Sequence, residues 1–410
     1  MHTAIVILAA GKGTRMKSEM PKVLHEVAGA PLLMHCMKTA QTIEPEHLII
    51  VAGHGSEDVT KAAETYAPDS QIVTQSAQLG TAHAVAQSRE ILSGFEGDLI
   101  ILYGDTPFIR PETLEKLAQA RQKSDLVILG FEANDPGHYG RLITSGTDLL
   151  EIVEYKEANA AQKDITLCNS GVLAGPAQLI FQLIEQVETS NNAGELYLTD
   201  CIALARAAGK SASVVTCPEA ETLGVNSRRD LAQAEQVFQN NARAALMDAG
   251  VSLLAPDTVF LSFDTVIGPY ARLRPGAEVA NAAKIGNFVE IKNAQIGEGA
   301  KVNHLSYIGD ADIGSDSNIG AGTITCNYDG VMKHHTQIGQ NVFIGSNTML
   351  VAPVDIGDGA MTASGAVITK NVPEDALALA RAEQINKLGL ARKLRKLLAK
   401  RKQQKETGQS

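Results

Sequence analysis

The 410-residue chain lacks the features that mark several classes of protein. Only 4% of its residues are aromatic and 44% are hydrophobic, a composition that excludes a disordered chain and a collagen. Its five cysteines form no C-x-x-C pair and no Cys/His group with metal-site spacing, so we expect reduced thiols rather than a disulfide framework. No apolar run is long enough to span a membrane, and the amino terminus has no signal-peptide pattern. We therefore expect a soluble, cytoplasmic protein without membrane insertion.

The net charge of −10 is unevenly spread. Residues 387–410 hold nine Lys and Arg against one Glu, a net of +8, so the rest of the chain carries −10 − 8 = −18. An acidic body does not suggest nucleic-acid binding. Within Lys387–Lys402, leucines recur among the basic residues, which predicts a basic amphipathic helix at the tail. We assign this helix no function.

The first half of the chain alternates strand-like and helix-like segments. The helix-like stretches include Pro31–Thr42 and Pro111–Gln122. The strand-like runs are nearly continuous in apolar residues, as expected of parallel strands buried on both faces: Ala4–Ala10, His47–Ala52, Asp98–Tyr103 and Leu126–Leu129. This alternation predicts an open, Rossmann-like α/β sheet that binds its ligand at the carboxyl ends of the strands.

A six-residue period replaces this pattern after Val251. Aliphatic residues recur six apart, as in Ile285 and Ile291 or Ile338 and Ile344, and many are followed by glycine. Such hexads predict a left-handed parallel β-helix, a three-sided column with three hexads per turn. The interruption at Thr325–Gln337 predicts a loop that leaves one corner of the column.

The two patterns divide the chain into four segments. An amphipathic helix over Asn226–Ala249, closed by Gly250, is either a rigid connector or the last helix of the first domain. We predict a nucleotidyltransferase domain at 1–226, a linker helix at 227–249, a β-helix at 250–375 and a basic helical tail at 376–410.

A glycine-rich loop follows the first strand. It reads L-A-A-G-K-G-T-R-M over Leu8–Met16. Residues 11–22 include four basic residues and one Glu, which gives a local charge of +3. Gly11 and Gly13 let backbone N–H groups approach phosphate oxygens, and the positive charge suits a triphosphate. The loop matches neither the P-loop nor the complete dinucleotide motif, so by itself it is weak evidence for a nucleotide site.

Several motifs together resemble one family. The glycine-rich loop and P-K-V-L at 21–24 are similar to sugar-nucleotide pyrophosphorylases, and further matching stretches include Q-L-G-T at 78–81, Y-G-D at 103–105, Y-G-R at 139–141 and G-V-N at 224–226. Joined to a hexapeptide β-helix, they resemble the bacterial bifunctional enzymes that acetylate glucosamine 1-phosphate and then transfer a uridylyl group to the product. Two unrelated motif sets in one chain make the resemblance specific.

The resemblance implies a uridylyl-transfer site in the first domain. Arg15 and Lys22 would act on the transferring phosphate, Asp105 and Asn226 would bind Mg²⁺, and Gln75 with Gly80 and Thr81 would meet the uridine. Glu154, Gly140 and Asn169 would orient the N-acetylglucosamine. The residues implied in binding UDP-N-acetylglucosamine are Leu8, Ala9, Ala10, Gly11, Lys22, Gln75, Gly80, Thr81, Tyr103, Gly104, Asp105, Gly140, Glu154, Asn169 and Asn226.

Three of these residues also have an ordinary structural explanation. Asp105 would suit the N-cap of a helix beginning near Pro107, and Asn226 would suit the N-cap of the following helix. Asn169 would suit a turn before Gly171. The sequence leaves both explanations open at each position.

The resemblance also implies an acetyl-transfer site in the β-helix. His304 would be the general base that deprotonates the sugar amine, Arg274 and Lys292 would clamp the sugar phosphate, and Glu290 would orient the base or the sugar. The remaining implied contacts to sugar or acetyl-CoA are Tyr307, Asn318, Ala321, Asn327, Tyr328, Ser346, Ser364 and Arg381. His334 and His335 lack a third ligand and stay unassigned.

The β-helix begins with fewer hexads than the family pattern has. Between Phe260 and Ile267 we estimate that two turns, roughly 36 residues, are absent, although the six-residue step from Leu261 to Ile267 is kept. The resemblance implies a homotrimer whose acetyl sites lie between chains, with acetyl-CoA, glucosamine 1-phosphate, UTP and N-acetylglucosamine 1-phosphate as substrates. Two alternatives stay open: a uridyltransferase that keeps the column only for trimerisation, and a non-catalytic sensor of sugar nucleotides.

Overall fold

The computed structural model describes residues 2–189 and 194–406. Contacts divide the chain into two compact units, and each is described by itself. The first comprises Met1–Ala249, Val259–Thr265 and Val279–Ala282, and the second comprises Gly250–Thr258, Val266–Glu278 and Ala283–Ser410. The four-segment division that the sequence predicts, with boundaries after 226, 249 and 375, remains a prediction.

The first unit alternates strands and helices. Its strands are β1 (Thr3–Ala9), β2 (Glu26–Val27), β3 (Ala30–Pro31), β4 (His47–Ala52), β5 (Gln71–Thr74), β6 (Asp98–Tyr103), β7 (Leu126–Glu132), β8 (Arg141–Ser145), β9 (Asp148–Val153), β10 (Leu167–Pro176) and β11 (Ala212–Cys217). Its helices are α1 (Leu32–Gln41), α2 (Ser56–Tyr66), α3 (Thr81–Ala86), α4 (Pro111–Arg121), α5 (Ala160–Lys163), α6 (Ala177–Ile184), α7 (Asp200–Ala207) and α8 (Arg228–Asp248). Short 3-10 helices lie at Thr14–Met16, Lys22–Leu24 and Glu219–Thr222.

The main sheet is mixed rather than wholly parallel. Its strand order is β5-β4-β1-β6-β10-β7-β11-β9-β8. Strands β4, β1 and β6 are parallel as predicted, whereas β10 runs antiparallel to both β6 and β7. The direction of a strand buried on both faces leaves no trace in its apolar pattern, which is why the sequence did not predict β10's orientation.

Two apolar cores cover the faces of this sheet. Along β1, Val6 and Leu8 enter one core, while Ile5 and Ile7 enter the other. This alternation in a fully buried strand follows from the period of two, since successive side chains point to opposite faces. The continuous apolar runs of the sequence therefore indicated correctly that both faces are covered.

Helix α8 begins and ends at recognisable signals. Ser227 is its N-cap and forms a reciprocal capping box with Asp230. Its last turn gives way to Gly250, whose φ of 92° is left-handed and suits glycine. The predicted helix over 226–249 is confirmed within two residues at each end.

The chain after α8 forms short strands. They are β12 (Ser252–Leu253), β13 (Phe260–Leu261), β14 (Val266–Ile267), β15 (Arg272–Leu273), β16 (Ala277–Val279), β17 (Lys284–Asn287), β18 (Glu290–Ile296), β19 (Lys301–His304), β20 (Tyr307–Ile313), β21 (Asn318–Ile319), β22 (Ile324–Cys326), β23 (Thr336–Ile338), β24 (Phe343–Ile344), β25 (Met349–Val351), β26 (Val354–Ile356), β27 (Met361–Thr362), β28 (Val367–Ile368) and β29 (Leu377–Ala378). A 3-10 helix lies at Pro256–Thr258, and α9 covers Leu390–Glu406.

Strands of successive turns stack in parallel, which confirms the β-helix. One stack runs β12-β15-β18-β20-β22-β25-β28, and a second runs β14-β17-β19-β21-β24-β27-β29. A third face is formed by the later residues of β18 and β20, followed by β23 and β26. Among the described strands, each turn therefore pairs with the turn before it and the turn after it.

The inward positions of the first stack are filled by aligned residues. Leu273, Ile291 and Ile308 pair in consecutive turns and are fully buried. The next inward residue is Thr325, whose hydroxyl exchanges hydrogen bonds with the backbone N and O of Gly309 at 2.7 and 3.0 Å. Because this buried hydroxyl is satisfied, the column continues where the aliphatic period stops.

The loop and tail also occur where the sequence places them. A loop leaves the column between β22 and β23, as the interruption of the hexads predicted. Helix α9 carries its leucines and basic residues exposed over residues 390–404. Within the described ranges, no helix is both long and apolar enough to cross a membrane.

The aligned core predicts a large cost for truncating an inward aliphatic residue. We expect Ile291→Ala, at a position with 0% exposure, to lower the free energy of unfolding of the column by about 2–5 kcal/mol. The same change at Ile385, which is 76% exposed, is the matched control and should leave stability within about 0.5 kcal/mol. Denaturant unfolding of the full chain measures both, and equal effects would contradict the assignment of Ile291 to a packed interior.

Candidate active sites

A cavity of about 300 Å³ opens at the carboxyl ends of β1, β5 and β6. A cavity of this size at this edge of an α/β sheet suits a nucleotide. Its lining is Leu8, Ala9, Ala10, Gly11, Lys22, Val23, Gln75, Gln78, Gly80, Thr81, Ala84, Tyr103, Asp105 and Glu195. Most residues that the resemblance implies for the nucleotide are thus brought together.

The glycine-rich loop is shaped by close backbone packing. Gly13 has a left-handed φ of 58°, and a Cβ added there would lie 2.5 Å from Cβ of Lys22. Only glycine lets the loop approach Lys22 so closely, and this approach sets the ammonium beside the cavity. Gly104, behind the cavity, donates its N–H to the carbonyl of Leu8 at 3.0 Å.

One ammonium group ties three distant segments together. Nζ of Lys22 forms an ion pair with Asp105 and lies 3.0 Å from Oδ1 of Asn226. Arg15 also donates to Oδ1 of Asn226, at 2.9 Å. The Lys22 and Asp105 side chains are only 14% and 18% exposed, so the pair is largely desolvated. The carboxylate and amide oxygens converge on a single cation, the arrangement that a divalent metal would also need.

The ordinary structural explanations for Asp105 and Asn226 are not realised. Helix α4 begins at Pro111 with Arg110 at its N-cap, five residues beyond Asp105. The N-cap of α8 is Ser227 rather than Asn226. Both side chains are therefore free to serve the cluster around Lys22.

The residues implied for the sugar also meet. The backbone N of Asn169 donates to the carbonyl of Gly140 at 2.8 Å, and a Cβ on Gly140 would lie 3.6 Å from both carboxylate oxygens of Glu154. Oδ1 of Asn169 accepts from the N–H of Gly171 at 2.9 Å, so the turn role of Asn169 is real as well. The missing Cβ of Gly140 leaves the Glu154 carboxylate uncovered on that side.

Sequence reasoning missed Arg141, which holds the loop before Gly140. Its side chain is 1% exposed, and its guanidinium donates to the carbonyls of Gly137 at 3.1 Å and Lys163 at 3.2 Å, and also to that of Tyr139. The Y-G-R motif was noted, but no pattern in the sequence shows that an arginine bonds backbone carbonyls.

The environment of Glu154 favours its neutral form. Burial raises the pKa of the Glu154 carboxyl, and the neighbouring Glu157 and Asp200 raise it further, while the Thr199 hydroxyl, 3.4 Å from Oε1, opposes the shift. Burial, together with Asp105 and Glu154, also raises the pKa of Tyr103, so its phenol stays neutral. The surroundings of Glu154 therefore make its carboxylate costly to ionise.

Two polar lining residues had no assigned role in the sequence. Gln78 donates from Nε2 to the carbonyl of Ala10 at 2.6 Å and so fixes the glycine-rich loop from the opposite side of the cavity. Glu195 lies on the same cavity wall. The Q-L-G-T stretch was the available signal for Gln78, whereas Glu195 lies in no motif.

In the column, one corner gathers several of the implied acetyl-site residues. The carbonyl of His304 accepts from Gly322 at 3.1 Å, and that of Ala321 accepts from Asn347 at 2.7 Å. In later turns Gly365 donates to Ser346 at 2.8 Å, and Nη1 of Arg381 donates to the carbonyl of Ser364 at 3.0 Å. The exposed His304 therefore begins a ladder that contains, one turn after another, Ala321, Ser346, Ser364 and Arg381.

A charged cluster lies on the first stack of the column. Nη1 of Arg274 donates to Oε1 of Glu290 at 2.8 Å, and Nε of Arg274 is buried without an acceptor among the described residues. Glu290 pairs in register with Tyr307, and Lys292 pairs with Gly309. Because Leu273 pairs with Ile291, the two basic residues implied for the sugar phosphate, Arg274 and Lys292, follow at equivalent positions of neighbouring turns.

The remaining implied residues lie elsewhere on the column and its loop. Asn318 stands between Lys301 and Phe343 in the second stack. Asn327 donates to Asp310, and hydrogen bonds from Asn293 and Asn327 lower the pKa of Asp310 against the effect of burial. Tyr328 is 60% exposed on the loop.

The adjacent histidines of the loop do not form a metal pair. Nε2 of His334 lies 2.7 Å from Asp329, while Nε2 of His335 lies 3.1 Å from Asp312. Among the described residues, no group of three or more His, Cys, Asp or Glu is placed to hold a metal.

The raised pKa of Glu154 predicts how stability changes with pH. Because the pKa is higher in the folded chain, the protein loses stability as pH rises from the unfolded value, about 4.3, through the folded value. Glu154→Gln should therefore raise the Tm by a few degrees at pH 7 and by nothing near pH 4. Glu151→Gln, at an exposed position of β9 just before Glu154, is the control and should not shift the Tm; an unchanged Tm of Glu154→Gln at pH 7 would contradict the argument.

Comparisons with known proteins agree with the two-part architecture. The family model of the MobA-like NTP transferase domain matches residues 5–166. The family model of the bacterial transferase hexapeptide (six repeats) matches residues 335–370. The first match contains most of the cavity lining, and the second covers the later turns of the column.

Curated relatives match the chain over its full length. The bifunctional protein GlmU of Ruegeria sp. (strain TM1040) is 55% identical over 449 aligned positions, which cover all of both chains. That of Ruegeria pomeroyi is 56% identical over 450 positions and 99% of this chain, and that of Roseobacter denitrificans is 52% identical over 449 positions. With 410 residues set against 449 positions, at least 39 positions have no residue of this chain. This similarity over the whole length shows that the chain belongs to the family of the bifunctional protein GlmU.

Proposed function

We propose that this chain makes UDP-N-acetylglucosamine in two steps. The column acetylates glucosamine 1-phosphate with acetyl-CoA, and the first domain joins the product to UMP from UTP and releases pyrophosphate. The observation that carries the proposal is the presence of two separate sets of candidate residues, the ion pair of Lys22 with Asp105 and the aligned column residues that begin at His304, in a single member of the GlmU family.

At the first site, the chain's own residues would position and neutralise phosphates. Asp105 and Asn226 would hold Mg²⁺, since their oxygens already converge on a cation. When bound, Mg²⁺ would neutralise the charge that develops on the phosphates. Arg15, which bonds Asn226, would lie against the transferring α-phosphate, and Lys22 would exchange its carboxylate partner for the nucleotide. These groups act by charge and orientation, which is what phosphoryl transfer chiefly requires.

The cavity would hold the base and the sugar at opposite ends. Gln75 and Gly80 line the end at which we place the uracil. Gly140, Glu154 and Asn169 would bind the N-acetylglucosamine, whose hydroxyl groups suit the carboxylate and the backbone groups there. Attack by the sugar phosphate on the α-phosphate then expels pyrophosphate.

At the second site, His304 would act as the general base. Acetyl transfer needs the sugar amine to lose a proton as it attacks the thioester, and an imidazole suits this task. Arg274, with its Nε lacking an acceptor among the described residues, and Lys292 would bind the sugar phosphate. The ladder that runs from Ala321 to Arg381 would carry acetyl-CoA, with Arg381 near its phosphates.

We propose a homotrimer whose acetyl sites lie between chains. The second stack of the column turns a row of apolar side chains outward, with Phe343 46%, Met361 46% and Leu377 58% exposed. Association would bury this row. Asn327 and Tyr328 would then complete the site of a neighbouring chain, and the enzyme would work in the cytoplasm on soluble substrates.

The shorter column bears on the alternative that the chain has kept uridylyl transfer and lost acetyl transfer. The alignment shortfall of at least 39 positions is close to our estimate of two column turns. Yet the residues implied for acetyl transfer are all present, and several of them form one ladder. We therefore favour two activities, and release of free CoA thiol from acetyl-CoA and glucosamine 1-phosphate distinguishes the two cases.

Two substitutions should separate the activities. His304→Ala should lower acetyl transfer by about 10²–10⁴-fold and spare uridylyl transfer, because only the general base is removed. Asp105→Ala should abolish uridylyl transfer and spare acetyl transfer. Both rates are measured on each preparation, acetyl transfer as release of CoA thiol and uridylyl transfer as release of pyrophosphate. The activity that a substitution spares shows that the variant is folded. Equal loss of both rates in either variant would refute the assignment.

Mixed trimers test whether Tyr328 serves a neighbouring chain. His304→Ala and Tyr328→Ala should each lack most acetyl transfer alone, whereas trimers co-assembled from both should regain it, since some sites then combine an intact His304 with an intact Tyr328. Light scattering should give three times the 43.4 kDa chain mass. Activity that is not regained in co-assembled trimers would place both residues in the site of one chain.

A further inference from the structure

The carboxamide of Gln75 is held by two neighbours on one side. Gln75 follows β5 and is 5% exposed on the wall of the nucleotide cavity. Its Nε2 donates to the carbonyl of Gly80 at 3.1 Å and lies 2.9 Å from Nδ1 of His83. A carbonyl oxygen can only accept, so the atom that faces Gly80 is the amide nitrogen rather than the oxygen.

This orientation also fixes the state of the His83 ring. One hydrogen of the Gln75 amide points to Gly80, so the other points to Nδ1 of His83, which must accept it. The ring proton then resides on Nε2. The Nε2 contact to the Gln87 amide nitrogen, at 3.3 Å, carries no hydrogen bond in this tautomer, since both nitrogens then bear hydrogen and neither can accept; the Gln87 amide donates instead to the carbonyl of His83 at 2.9 Å.

Both amide hydrogens of Gln75 are thus used, and only its Oε1 remains. Within the described residues Oε1 has no hydrogen-bond donor. The cavity therefore offers the base an acceptor and no donor at this point. Uracil has one N–H on its pairing edge, at N3, whereas cytosine carries a lone pair at that position.

We infer that His83 is a positioning residue that sets the preference for uracil by locking the Gln75 carboxamide with its oxygen toward the base. This inference rests on the proposed uridylyl transfer, in which Gln75 meets the base. Without the acceptor on His83, the carboxamide can turn and present its nitrogen to the cytosine lone pair. His83 touches neither substrate nor reacting atoms.

The test compares UTP with CTP. His83→Leu removes the acceptor, and we expect the ratio of kcat/KM for UTP to that for CTP to fall about tenfold, the value of one hydrogen bond. His83→Asn, whose Oδ1 can accept, should restore the ratio. Gln87→Leu, which changes the other side of the ring, should leave it unchanged, as should the ratio of UTP to dTTP in every variant, because thymine keeps the N3–H.

The outcomes are distinguishable. If His83→Leu lowered kcat/KM equally for UTP and CTP, His83 would be merely structural. If it lowered kcat/KM more for CTP than for UTP, Oε1 of Gln75 would accept from the exocyclic amine of cytosine instead. Either result overturns the inference. Acetyl transfer by the same preparations reports folding. If the wild-type chain released no pyrophosphate, the proposed function would fail, and calorimetric binding of UTP and CTP would still measure the same ratio in each variant.

Discussion

The ammonium of Lys22, shared by Asp105 and Asn226, is the interaction on which the first domain's organisation depends. Lys22 begins the 3-10 helix at Lys22–Leu24, Asp105 follows β6, and Asn226 precedes the N-cap of α8. A largely buried charge is tolerable only while it is paired, so the contact fixes the distance between three elements that are far apart in sequence. The same oxygens that satisfy the lysine are those with which a divalent ion would be held.

Much of the fold, and many of the residues that the candidate sites bring together, could be predicted from the sequence. Continuous apolar runs and the six-residue period showed where strands lie and which residues face inward, because both follow from fixed side-chain geometry. The direction of β10 was not predictable, since an apolar run has no polarity. The fully buried threonine at 325 was not predictable either, because its hydroxyl is satisfied by the backbone of Gly309, a partner in the preceding turn.

The residues of the candidate sites were likewise predictable only in part. Motifs identified residues such as Asp105, Gln75 and His304, which stand at the ends of strands or at corners. They did not identify the residues that hold them, since Arg141 bonds backbone carbonyls and His83 bonds the carboxamide of Gln75. A residue that bonds to the backbone or to another side chain produces no recognisable spacing pattern in the sequence, so its role is seen only in the coordinates.

The stacking of turns in the column has a further meaning for how such chains evolve. Among the described strands, each turn of the column pairs with the turns directly before and after it, so a complete turn can be gained or lost and the strand pairing re-formed without disturbing contacts farther along. The number of turns can therefore change without a change in the reactive groups. Selection can alter the length of the column as a spacer while it preserves the few turns that carry those groups.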